Sequence, residues 1–167
     1  MMIVKGDFCS GAMFSECEKY RYVLWRRWEP NCESSNIVSF IGLNPSTADE
    51  VKLDPTVTRC VNWAKAWGFG GMAMLNCFAY RATDPKDMKR QADPVGNGNR
   101  AALLVWGRES GRTVLCWGNH GTWEDRNKEV LEILGDRNTF YHFGLTKTGQ
   151  PKHPLYLPNN IELQKWK

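Results

Sequence analysis

The chain of 167 residues predicts an α/β fold of three layers, α/β/α, with a mostly parallel central sheet. Three observations carry this expectation. Short apolar runs alternate with helix-length amphipathic segments, the order that builds parallel sheets from strand–helix–strand units. The apolar runs show little polar alternation, as strands buried on both faces do. The densest polar loops follow the ends of those runs, where an open parallel sheet has its ligand crevice.

Residues 20–28, YRYVLWRRW, alternate aromatic or apolar residues with arginine and read as an early edge strand. They close an N-terminal strand or hairpin extension over 1–35. Residues 36–43, NIVSFIGL, form an apolar run bounded by turn residues, hence a central buried strand. Asp54-Pro55 supplies an N-cap and a proline at the first helical position, and Val57, Cys60, Val61, Ala64 and Trp67 follow at helical spacing. Gly68, Gly70 and Gly71 end that helix. Residues 72–78 read as a second buried strand, 79–91 as loop with a cap at Asp84-Pro85, and 99–110 as helix. Residues 113–117 form a third strand ending in Gly118-Asn119-His120-Gly121, residues 123–134 a helix, and residues 139–143 a fourth strand. A dense loop, KHPLYLP, occupies 152–158.

Bulk properties set the class. The length fits one domain, 1–167, with a real core. Hydrophobic content of 42% and charged content of 24% match an ordinary soluble protein. No apolar stretch approaches the roughly 20 residues a membrane helix needs. The start, MMIVKGDFCS, lacks the apolar region of a signal peptide. The expectation is a cytoplasmic protein with no membrane partner; its oligomeric state stays open. A net charge of +4 permits an anionic partner without demanding one. The six cysteines show no CxxC spacing, which argues against a ribbon or finger zinc site. Cys60, Cys77 and Cys116 read as core residues; Cys9, Cys17 and Cys32 read as thiols, with a metal or disulfide as the alternative. The eight tryptophans serve either packing or, at Trp117, stacking on a base.

Chemistry concentrates in the strand-end loops. In Gly42-Leu43-Asn44-Pro45-Ser46, glycine lets a ligand approach the backbone, Pro45 stiffens the turn, and the Asn44 amide both donates and accepts. The alternative is a plain Asn-Pro turn satisfied by Ser46 or Thr47. There is no GxxxxGK[ST], so a P-loop is excluded, and no GxSxG. His153 can donate a hydrogen bond to a developing anion, or be a surface histidine. Asp49 is a candidate general base, whereas Asp54 reads as a helix cap.

These segments resemble a widespread bacterial and phage family of unassigned function, DUF1643, from about residue 20 to 158. RYVLWRRW, GLNPSTADEVKLDPTVTRC, NCFAYRATDPKDM, VLCWGNHG and GLTKTGQPKHPLYLP carry the likeness. GLNPS is also similar to the first motif of the uracil-DNA glycosylase superfamily, GINPG in its mismatch-specific branch, and HPLYLP to its second, HPSPLS. That resemblance implies a uracil-DNA glycosylase-like fold and a hydrolase that flips a base from DNA and cleaves its N-glycosidic bond. It implies that Asn44 positions the attacking water, His153 hydrogen-bonds the leaving base, and Leu157 fills the vacated space. Gly42 to Ser46 would approach base or sugar phosphate, with Phe78 or Trp117 as the stacking aromatic; Asn119 and Tyr156 complete the expected binding set. No metal or cofactor is expected. Two departures matter: Leu155 and Pro158 stand where the motif has phosphate-gripping serines. They favour a free nucleotide or nucleoside over duplex DNA, and leave open a base-modifying enzyme, a sequestering protein, or a generic anion site.

Overall fold

A computed structural model describes residues 1–136 and 139–167. One sheet of eight strands runs through it. The strands are β1 (Met2–Gly6), β2 (Ser10–Ser15), β3 (Arg21–Arg27), β4 (Ile37–Gly42), β5 (Gly71–Asn76), β6 (Arg112–Leu115), β7 (Phe140–His142) and β8 (Gln164–Lys165). Their spatial order is β1-β2-β3-β5-β4-β6-β7-β8. The helices are α1 (Pro55–Ala66), α2 (Pro85–Lys89), α3 (Asn99–Ala102) and α4 (Arg126–Leu134). Among the described residues, no helix is long and apolar enough to cross a membrane.

The α/β class holds, but the sheet is not mostly parallel. Only the central block β5-β4-β6-β7 is parallel; β1, β2, β3 and β8 add four antiparallel pairings against its three parallel ones. The physical reason is local. β1 and β2 are joined by a three-residue connection, and so short a link forces antiparallel neighbours, whereas parallel pairs need a crossover. β3 is not an edge strand either: β2 covers one side of it and β5 the other.

Two cores sit on the two faces. On one, α1 lays Val57, Cys60, Val61, Trp63 and Ala64 against Val38, Phe40, Met72 and Met74. Each large apolar side chain buried this way contributes roughly 1.5–3 kcal/mol. Asp54 caps α1, its Oδ1 accepting from Val57 N at 2.8 Å. On the other face, Leu103 beyond α3 and Val130, Ile133 and Leu134 of α4 cover Ile41, Leu75 and Leu115. Cys60, Cys77 and Cys116 are buried as the sequence implies, and Cys32 is buried with them.

Two predicted helices differ from their sequence reading. The 99–110 segment is α-helical only to Ala102, then widens into a π turn over Leu103–Gly107. The 123–134 helix begins at Arg126, because Glu124 and Asp125 take left-handed backbone with φ of 54° and 55°.

One irregularity in β3 bears on the site. Met13 pairs with Val23 but Phe14 pairs with Arg21, so Tyr22 is an extra residue in the strand. Such a bulge re-aims the side chains beyond it. Tyr22 joins the α4-side core, and Arg21 turns to the α1 side with Phe14, its Nη1 donating to Ala48 O at 2.7 Å.

Candidate functional site

A cavity of about 780 Å³ opens at the carboxyl edge of the parallel block. The loops after β4, β5, β6 and β7 all contribute to its wall, and so does the N-terminus of α1. The first and last of these loops, at Asn44 and His153, lie more than a hundred residues apart in the sequence; the common direction of the four strands is what gathers them.

The loop after β4 is held firmly. Asn44 Nδ2 donates to the carbonyls of Ala82 at 2.8 Å, Pro45 at 3.2 Å and Tyr80 at 3.4 Å. Pro45 O in turn accepts from Ala82 N at 2.9 Å. The amide N–H groups of Asn44 therefore tie two loops together. Its Oδ1 takes no donor among the described residues and is the atom left for a ligand or water. Ser46 Oγ accepts from Thr47 N at 2.6 Å and donates to Asp54 Oδ2 at 3.4 Å. Leu43 lines the wall with its backbone engaged, O accepting from Phe78 N.

The 152–158 loop faces it. Arg59 of α1 lies over Trp63 and donates from Nε to Pro154 O at 3.1 Å and from Nη2 to Leu157 O. That clamp presents His153 at the cavity surface. His153 Nδ1 accepts from Leu155 N at 3.1 Å, which puts the proton of the neutral ring on Nε2. Desolvation by the surrounding protein pushes its pKa below the ordinary value, and the Asp54 carboxylate opposes that shift. The neutral, Nε2-protonated form is the one this site favours.

Asp54 is the single acidic residue among the described lining residues. Asp49, the expected base, does not line the cavity. Its carboxylate closes its own turn, accepting from Lys52 N at 2.6 Å and Val51 N at 2.8 Å, and these bonds hold its pKa below the usual carboxylate value. Asp49 thus stands outside the cavity, whereas Asp54 stands in its wall while capping α1.

Phe78 is also misplaced by the sequence reading. It is fully buried on the α4 side, packed against Trp123, and does not line the cavity. Trp117 does line it, but as a buried wall: Nε1 donates to Gln150 Oε1 at 3.0 Å and Trp166 packs edge-on. Leu157 lines the cavity while packing on the α1-side core, so it is not a free wedge. The exposed apolar residue is its neighbour Tyr156, 91% exposed and held at φ of 68°. Such backbone in a non-glycine residue stores strain, which clusters at functional sites. Asn119 lines the rim, its Oδ1 accepting from the hydroxyls of Thr146 and Thr148 at 2.6 and 2.7 Å.

The sequence reading missed Asn76 and Arg21. Asn76 ends β5 on the cavity side, 1% exposed, with neither Oδ1 nor Nδ2 partnered among the described residues. Its backbone is fixed by Asn99, which donates to the carbonyls of Asn76 and Cys77. Gly42 explains how it fits: a Cβ there would stand 2.8 Å from Met74 Cε and 3.0 Å from Asn76 Oδ1. A lone asparagine ending the apolar run MAMLN was the available signal for Asn76. Arg21 carried no signal, because strand alternation without the bulge turns it to the other face.

A family profile described as a protein of unknown function (DUF1643) matches residues 21–155. No curated protein and no solved structure matches.

Proposed function

We propose, from the premise that the chain belongs to the DUF1643 family, that the cavity binds a modified or damaged pyrimidine and hydrolyses its N-glycosidic bond. The observation that carries this reading is the gathering of Asn44, Asp54 and His153 around one cavity. The uracil-DNA glycosylase-like relation belongs to the same proposal. It is supported by GLNPS standing directly after β4 and HPLYLP after β7, not by the overall sheet.

The chemistry follows from the groups present. Asn76 offers one donor and one acceptor side by side, the complement of a pyrimidine edge such as N3–H with O4. Asn44 Oδ1 accepts from a water, and the Asp54 carboxylate takes that water's proton as its oxygen bonds to C1′. The C1′–N1 pair leaves with the base, and His153 Nε2–H donates to the base carbonyl where the charge collects. One preorganised donor of this kind is worth about 3–4 kcal/mol in oxyanion sites. The proton held by Asp54 returns through solvent to the base anion, so the products are the free base and a sugar with a 1′-hydroxyl. Tyr156 covers the entrance and offers a stacking face.

A second reading, a nucleotide-processing or sequestering protein that leaves the glycosidic bond intact, is favoured by Leu155 and Pro158, which offer no hydroxyl to a DNA phosphate. The deciding experiment incubates the protein with single- and double-stranded oligonucleotides carrying uracil or 5-hydroxymethyluracil, and with free nucleotides, and weighs the products. Loss of the base that disappears in Asn44→Ala, Asp54→Asn and His153→Ala supports hydrolysis. Binding without a change in mass supports the second reading. Full activity in all three variants overturns the site.

A further inference from the structure

We propose that Arg21 forms a buried anion subsite in this cavity, which takes the phosphate monoester of a pyrimidine mononucleotide. The base half of this assignment rests on the reading above; the anion half stands on Arg21 itself.

Arg21 is 1% exposed and lines the cavity. A buried guanidinium is ordinarily paired with a carboxylate, since removing a charge from water is costly unless it is paired. Here no carboxylate oxygen lies within 4.0 Å among the described residues. Nη1 donates to Ala48 O, and Nε has no partner among the described residues. Asp54 is the carboxylate it feels most, yet the two make no ion pair, and Arg26 and Arg81 add like charge from nearby. Burial lowers the guanidinium to about 10, which leaves it cationic at neutral pH. The bulge at Tyr22 is what turns this cation into the cavity rather than into the opposite core. A planar fork with free N–H groups suits the two-oxygen edge of a phosphate.

The burial also selects the source of the phosphate. A phosphodiester within a strand must continue outward in both directions, whereas a monoester ends at its oxygens and fits a closed subsite. The missing hydroxyls at Leu155 and Pro158 point the same way.

The test is calorimetric titration of the full chain with deoxyuridine, its 5′- and 3′-monophosphates, inorganic phosphate, and a five-nucleotide single strand with an internal uracil. The expected result is at least tenfold tighter binding of one monophosphate than of the nucleoside. Arg21→Gln should reduce that preference to twofold or less, while Arg21→Lys keeps part of it. Equal binding of nucleoside and both monophosphates overturns the anion subsite and leaves the base pocket standing. Binding of phosphate and of any sugar phosphate alike, with no gain from the base, supports the subsite and overturns the base reading. Tightest binding by the oligonucleotide overturns the mononucleotide assignment. No binding by any ligand overturns both. Should Arg21→Gln fail to fold, the wild-type ratios decide the matter alone.

Discussion

Replacing Asn76 with leucine should make the protein more stable and blind to its ligand. Leucine branches at the same atom as asparagine, so the change swaps Oδ1 and Nδ2 for two methyl groups in nearly the same places. Both polar atoms are buried and find no partner among the described residues. Leaving a buried donor or acceptor unmet costs about 1–3 kcal/mol, so the pair costs about 2–6 kcal/mol in the free protein. The slightly larger methyls press on Met74 and the Gly42 backbone, and overpacking of that kind costs about 1–3 kcal/mol. The difference is a gain of about 2 kcal/mol. For a domain of this size each kcal/mol moves Tm by about 2–4 °C, which gives a rise of about 4–8 °C. Thermal unfolding and urea titration read the first half of the prediction; titration with a pyrimidine nucleotide reads the second. A fall in Tm of a few degrees would show that the amide has a structural partner and would remove it as a ligand contact. A rise in Tm with binding intact would show that the unmet bonds serve no pyrimidine. Stability given up at a site that must recognise something is a common trade.

Further outcomes follow from the same geometry. The surrounding protein lowers the His153 pKa, so the neutral donor persists below the usual value of about 6.5 and turnover should fall only under that pH. The stability sign agrees: the folded state binds fewer protons than the unfolded chain there, so stability drops as pH falls through the unfolded value. Urea midpoints of wild type and His153→Asn between about pH 5 and 7 should diverge in that direction, and parallel midpoints would refute it. Trp63→Ala should cost about 3–5 kcal/mol. Trp63 is 4% exposed, packs on Phe143 at 4.4 Å, and its Nε1 donates to Asn159 O. A near-neutral urea curve would mean that face is not core. Tyr156→Gly should raise stability by about 0.5–1 kcal/mol by relieving the left-handed backbone, while weakening affinity severalfold. An unchanged affinity would assign Tyr156 no part in covering the ligand.

Much of this protein is local and therefore legible in its sequence. Asp54-Pro55 and the spacing from Val57 to Ala64 specify α1, because capping and amphipathic burial depend on near neighbours. The apolar runs specify β4, β5 and β6 for the same reason. The loops bearing Asn44 and His153 stand out because the residues themselves are chemically unusual, and the parallel block that joins them follows from strand–helix alternation. What tertiary structure alone decided depends on pairing between distant strands. The antiparallel half of the sheet comes from β3 docking on β5 rather than at an edge. The exclusion of Asp49 and Phe78 comes from where their side chains find partners. Arg21 enters the cavity through a single extra residue in β3, and one residue of register reverses which face a side chain occupies. Asn76 is a candidate site residue because its amide meets no partner among the described residues, and that is a property of the packed surroundings, not of the residue type.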